Sequence, residues 1–134
     1  MHIQMQIRSL FLGLALAASF SASAASPAVE TAEAYMTALI KHDENSARRL
    51  VASGSQAESD FGNHSAAVTR MEKAAPGAKL GFRNKLCFEK NASTTVCELI
   101  LTYDNQDGWP MSIQVQTKEL KVSSAVILRP RSAR

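Results

Sequence analysis

The sequence predicts an α+β domain, with N-terminal helices packed on one face of a curved antiparallel four-stranded meander sheet. Three observations carry this expectation. Apolar residues recur at helical spacing from Val29 to Ala75, and from Lys79 onward the repeat shortens to two. Helical and extended stretches also follow one another instead of alternating, which separates helices from sheet and favours antiparallel pairing.

The first helix begins at Ser26-Pro27, with Ser as N-cap and Pro at the first helical position, where its missing N–H costs nothing. Val29, Ala32, Met36, Leu39 and Ile40 form one apolar face flanked by Tyr35, and Lys41-His42 ends it. Asp43 caps a second helix with Glu44 in its first turn and Arg48-Arg49 near its end, both charges matching the helix dipole. Ala47, Leu50 and Val51 make its small apolar face before Ser53-Gly54 stops it. A third stripe runs through Phe61, His64, Val68, Met71 and Ala75. Gly62 weakens it by about 1 kcal/mol, and Pro76-Gly77 closes it.

The first strand sets Leu80, Phe82, Leu86 and Phe88 on one face and Lys79, Arg83, Lys85 and Glu89 on the other, with Asn84 out of pattern. Residues 94–104 form a second strand rich in Thr, Val, Ile and Leu. Asp104-Asn105-Gln106-Asp107-Gly108 is a polar turn. In the third strand, 109–118, Met111, Ile113 and Val115 oppose Ser112, Gln114 and Gln116. Leu120, Val122, Val126 and Leu128 mark the last strand on its even positions.

Cys87 and Cys97 are the only cysteines, and a disulfide between them is expected. A turn centred on Ala92 places Cys87 opposite Cys97, with Lys90 and Thr94 closing a three-residue loop, Asn91-Ala92-Ser93. The pair then falls at a non-hydrogen-bonded position, where side chains approach closest. A bridge over so short a loop stabilises by roughly 2–3 kcal/mol. With no further ligand at suitable spacing a zinc site is not expected, and the Cys-x-x-Cys of redox catalysts is absent. The same register puts Leu99, Leu101 and Tyr103 opposite Lys85 and Arg83, while Val96 and Ile100 face the other way. The second strand is then apolar on both sides. Either a bulge shifts the pairing or the second face is partly covered, by the chain itself, by a second copy in a homodimer through the sheet, or by a protein partner.

Residues 1–25 have the layout of a secretory signal peptide. Arg8 supplies the charged start, residues 10–20 the apolar core, and Ser21-Ala22-Ser23-Ala24-Ala25 the small-residue exit. The core is shorter than the ~20 apolar residues of a permanent span. Cleavage after Ala25 would leave 109 of the 134 residues, a single domain over 26–128 followed by a flexible basic tail, 129–134. A periplasmic or extracellular location follows, with a bacterial source favoured, and no membrane span in the mature chain. No cysteine stands at the cleavage point to carry a lipid. The net charge of +3 falls to +2 on removal of Arg8, an ordinary mixed surface rather than a nucleic-acid-binding one. Arg129, Arg131 and Arg134 either solubilise the tail or help it dock on an anionic envelope surface.

The phrase Ala32-Glu33-Ala34-Tyr35-Met36-Thr37-Ala38-Leu39-Ile40-Lys41-His42-Asp43, followed by Ala47-Arg48-Arg49-Leu50, resembles the opening of the nuclear-transport-factor-2-like, or cystatin-like, superfamily. It looks most like small exported bacterial members without an assigned function. The resemblance implies a curled sheet and helices forming a cone able to hold a small ligand. Some members, similar to ketosteroid isomerase or limonene epoxide hydrolase, catalyse reactions from buried Asp and Tyr or from an Asp-Arg-Asp set. The chain departs from the pattern in its ending. The usual Gly-x-Trp-x-Ile on the last strand is missing, and Gly108-Trp109 stands at an earlier turn.

His64 on the third stripe is a candidate general base, with Asp60 one turn earlier to orient it and Tyr35 as a hydroxyl donor. The plainer reading, which we prefer, is a partly buried histidine hydrogen-bonded near a helix kink, with Tyr35 and Tyr103 packed as aromatics. Asp104 and Asp107 flank a turn, where Asp bonds the local backbone. No nucleophile elbow, phosphate-cradling loop or calcium loop is present, and no cofactor is expected. The preferred function is an exported, non-enzymatic module binding a protein partner or a small apolar ligand, through Leu99, Leu101, Tyr103 and Trp109 of the sheet and the helix–sheet cleft. The alternative is a ketosteroid-isomerase-like hydrolase or isomerase using Asp60, His64 and a tyrosine. A purely structural envelope protein is the third.

Overall fold

The computed structural model of the protein describes residues 26–106 and 111–129. The expected leader, Asp107, Trp109 and most of the basic tail lie outside the described residues. Helix α1 spans Pro27–Ile40, and the Ser26 hydroxyl accepts the Val29 N–H at 3.1 Å, the cap the sequence called for. Its exit is a left-handed turn. His42 has φ +58°, the His42 N–H reaches the Leu39 carbonyl and the Asp43 N–H the Ala38 carbonyl. These are the paired bonds that close a helix at such a residue. Asp43 then caps α2, Glu44–Arg49, at once, through the Ser46 N–H. The joint therefore fixes the angle between two helices with no spare residue.

A four-residue helix α3, Gln56–Ser59, precedes α4, Phe61–Ala74. The sequence showed no sign of α3, because one turn with a single buried residue, Ala57, has no period to read. The predicted stripe of α4 is real: Phe61, His64, Val68, Met71 and the following Ala75 are all buried. The Tyr103 hydroxyl donates to the Met71 carbonyl at 2.6 Å, tying the end of α4 to the sheet.

The sheet is an antiparallel meander in the order β1-β2-β3-β4, from strands Leu80–Asn91, Thr94–Tyr103, Met111–Lys118 and Lys121–Leu128. Helix α1 crosses all four strands, and α3 packs on β4. Between helices and sheet lies one core that includes Tyr35, Met36, Leu39, Val68, Leu99, Leu101, Ile113, Val115 and Val122. At the β4 edge, the Ala52 N–H donates to the Val122 carbonyl and the Val122 N–H to the Leu50 carbonyl. This short parallel bridge covers part of an edge that would otherwise offer free backbone groups.

Bulges correct the expected strand faces. Asn84 pairs with Leu99 and Leu86 with Glu98, so Lys85 is an extra residue on β1. Before it, Leu80, Phe82 and Asn84 oppose Tyr103, Leu101 and Leu99. After it, Cys87 opposes Cys97, while Leu86 and Phe88 are turned to the other face and exposed. The four apolar residues of β1 thus do not share one face, and Lys85 and Arg83 do not oppose Leu99 and Leu101. Asn84 fits because its amide donates to Glu33 Oε2 of α1 at 3.0 Å. A second irregularity skips Lys90, so Asn91 pairs with Thr94 and the loop is Ala92-Ser93, shorter than expected. A third skips Ser123, which leaves Val122, Ala125 and Ile127 toward the core and Val126 and Leu128 outside, against the expected even-position face.

The β3–β4 turn carries backbone strain. Glu119 and Leu120 have φ +52° and +64°, the conformation of a two-residue turn that favours Asn-Gly. Non-glycine residues there cost about 1 kcal/mol or more each. Leu120 is 54% exposed and offsets little of this by burial. Replacing Glu119-Leu120 by Asn-Gly is expected to raise the thermal midpoint by roughly 5–10 °C, read by circular dichroism melting.

Candidate functional site

Two places collect chemically capable side chains. The first surrounds His64, whose ring is 2% exposed. Its Nε2 lies 2.8 Å from the Ala125 carbonyl, which only accepts, so Nε2 carries the proton. Nδ1, 2.8 Å from the Tyr35 hydroxyl, then accepts from it. Tyr35 meets both His64 and Phe61 edge-on, and the Arg48 guanidinium stacks 4.2 Å from the centre of the Phe61 ring. Burial lowers the His64 pKa, opposed by the Ala125 carbonyl and by the Asp60 charge. Burial also holds Tyr35 far above the usual phenol range, with Arg48 pulling slightly the other way. Tyr35 is thus a neutral donor to a neutral imidazole.

Asp60 stands apart from this pair, its carboxylate accepting from Gln56 Nε2 at 2.9 Å. Asp60 and His64 touch a shallow depression of about 230 Å³ with Asn63, Ala125, Val126 and Ile127. The structure thus joins His64 to Tyr35, but it does not place Asp60 as the histidine's orienting partner. With both imidazole nitrogens engaged inside the protein, the arrangement clasps α1, α4 and β4 together. A general base needs a nitrogen within reach of substrate, and here the free lone pair is already bonded to Tyr35.

Of the residues expected to bind on the sheet, Leu99, Leu101 and Tyr103 lie buried beneath the helices, and Trp109 lies outside the described residues. The bulge at Lys85 explains the placement, since it brings Leu80, Phe82 and Asn84 opposite them on the core side. Asp104 does bond the local backbone, its Oδ1 accepting the Lys79 N–H at 2.8 Å. Among the described residues, no group of three or more His, Cys, Asp or Glu could hold a metal ion, and no helix is long and apolar enough to cross a membrane.

The second place is a cavity of about 490 Å³ at the hairpin end of the sheet. It opens where the first turn of α1, at Ser26, Pro27, Ala28 and Val29, meets the β1–β2 and β3–β4 turns. Cys87, Glu89, Thr95 and Thr117 line it from the strands, and Phe88 and Leu120 are exposed at its edge. The Cys87–Cys97 disulfide is formed, so the cavity borders a covalent crosslink between β1 and β2. One polar group stands out. The Thr117 hydroxyl is buried, at 1% exposure, with no hydrogen-bond partner in the protein. A volume of this size lies within the ~300–1,000 Å³ of small-molecule sites, which combine an apolar lining with a few placed polar groups.

Sequence reasoning missed this cavity. Its wall comes from the end of one helix and two turns remote in sequence, which no periodicity joins. The one available signal was Glu119-Leu120 in a tight hairpin, where glycine is expected. Comparison with protein families, with curated proteins and with solved structures finds no match to this chain.

Proposed function

We propose that the protein is an exported, non-enzymatic binding module, and that the cavity at the hairpin end of the sheet receives a small apolar ligand. The cavity itself is the observation that carries this reading. It is apolar where Pro27, Val29, Leu120 and Cys87 line it. Export is supported by the leader-like residues 1–25 and is compatible with the disulfide, which persists in oxidising compartments. Kinship with the nuclear-transport-factor-2-like superfamily belongs to the same proposal and rests on residues 32–43 and 47–50.

The test is a fluorescence titration with the neutral apolar dye N-phenyl-1-naphthylamine, comparing the protein with Ala28→Trp. The indole would fill space beside α1 without entering the core. The expected result is saturable binding to the protein and at least tenfold weaker binding to the variant, at a similar melting midpoint. Equal binding by both, or no saturable signal, overturns the reading. The enzyme alternative lacks comparable support, because His64 spends both nitrogens inside the fold.

A further inference from the structure

We propose that the face of the sheet turned away from the helices docks on an anionic phospholipid surface. The inference is independent of the cavity. Strand parity and two of the bulges carry its first step. Past the extra residues at Lys85 and Ser123, Leu86 and Phe88 of β1 and Val126 and Leu128 of β4 all turn to this outer face. Each bulge therefore moves apolar residues of an edge strand away from the core and into water. Four of the five large apolar residues exposed among the described residues stand here. Val96 and Ile100 of β2 lie between the two edges and outside the core cluster. A groove of about 240 Å³ joins Phe88, Val96 and Val126.

Charge carries the second step. By the same alternation Arg83 and Lys118 belong to the outer face, where Arg83 opposes Ile100 and Lys118 opposes Thr94. Lys90 lines the groove beside Phe88. Lys85, the bulged residue, pairs with Glu98 at 3.8 Å, and Glu98 is the one carboxylate that the four strands place on this face. Glu89 shares the helix side with Thr95. Arg83, Lys90 and Lys118, all exposed, are left in surplus on a chain whose whole net charge is +3. The small total conceals the clustering, because only the register shows which cations share a face.

The layout selects the occupant. Along β1, Leu86 and Phe88 stand between Arg83 and Lys90, and Lys118 joins Lys90 at the hairpin end. Long basic side chains beside apolar ones reach phosphate groups while the apolar ones enter the acyl boundary. After Leu128 the sequence runs directly into Arg129-Pro130-Arg131-Ser132-Ala133-Arg134, three more cations attached to a residue of this face. Gln114, Gln116 and Ser124 separate the apolar residues of the two edges. That dispersal suits the broad contact of a bilayer interface better than the packed central anchor of a protein interface. Two copies laid face to face would set these cations against like charges.

The experiment is cosedimentation of the protein, collected as exported, with vesicles of phosphatidylcholine alone and of an equal mixture with phosphatidylglycerol. Binding to the mixed vesicles is expected to be about tenfold or more tighter, since each surplus cation near an anionic surface contributes about a factor of five. The preference should shrink as salt is raised. Arg83→Gln/Lys118→Gln should weaken binding to the mixed vesicles roughly twentyfold. Leu86→Ser/Val126→Ser should weaken it about fivefold or more and leave the melting midpoint and dye binding close to those of the unaltered protein. Equal binding to both kinds of vesicle, or binding to neither, overturns the proposal. A two-chain mass by sedimentation that Leu86→Ser/Val126→Ser returns to one chain overturns it too, by giving the face to a second copy. A protein that binds polyglutamate but not the mixed vesicles overturns it in favour of an acidic polypeptide.

Discussion

Replacing both cysteines, Cys87→Ala with Cys97→Ala, should lower the stability of the protein by about 2–3 kcal/mol and its melting midpoint by roughly 10–20 °C. The effect comes mainly from the unfolded chain, which regains the freedom of a loop ten residues long. Some comes from the native state, where Cys97 is buried in the core. Reductant added to the unaltered protein should reproduce most of the loss. Ligand binding should weaken as well, because Cys87 lines the cavity and the crosslink fixes β1 against β2 beside it. Melting curves with and without reductant, followed by the dye titration, check both effects. An unchanged midpoint would mean that the hairpin keeps its register without the bridge.

The largest single-residue effect is expected at His64. His64→Ala removes a buried ring and strands the Tyr35 hydroxyl and the Ala125 carbonyl, at a combined cost of about 3–5 kcal/mol. For a domain whose total stability is about 5–10 kcal/mol, that leaves little margin. Tyr35→Phe is gentler, leaving one imidazole nitrogen without a donor at about 1–3 kcal/mol. The burial of His64 also sets a pH dependence. Burial depresses the folded His64 pKa below its unfolded value of 6.5, so the unfolded chain binds the extra proton more readily. Its stabilising contribution is complete above that value and is lost as pH falls from it toward the folded pKa. The melting midpoint should therefore drop between pH 7 and 5. A flat profile in the unaltered protein would show that the imidazole charges without penalty.

Much of the fold was legible in the sequence because its signals are local. Ser26 and Asp43 cap helices with the side chains expected of them, and the stripe from Phe61 to Ala75 is buried as its spacing requires. Opposition of Cys87 and Cys97 followed from counting outward along a hairpin, and it survived a wrong loop length because the Lys90 bulge absorbs the difference. What failed was the side of the sheet on which particular residues fall. An extra residue at Lys85 or Ser123 reverses every later side chain on its strand. A strand with apolar residues at both parities gives no sign that this has happened, and so Leu86, Phe88, Val126 and Leu128 were placed on the wrong face.

The site was less legible than the fold. His64 stood out as a polar residue on an apolar stripe, and its burial was foreseen, but its partners Tyr35 and Ala125 lie 29 and 61 residues away. Leu99, Leu101 and Tyr103 were read as a recognition surface because β2 is apolar on both sides, and the helices claim them for the core. The cavity depends on where α1 starts relative to two turns, a relation set by tertiary packing alone.

Native mass spectrometry addresses the central claim most directly. The protein would be produced from its full-length sequence, collected as exported, and compared with Ala28→Trp. The account predicts a one-to-one adduct of small-molecule mass, carried by the protein or acquired from the apolar dye, and missing from the variant. Bare protein in both samples after incubation with the dye would contradict it.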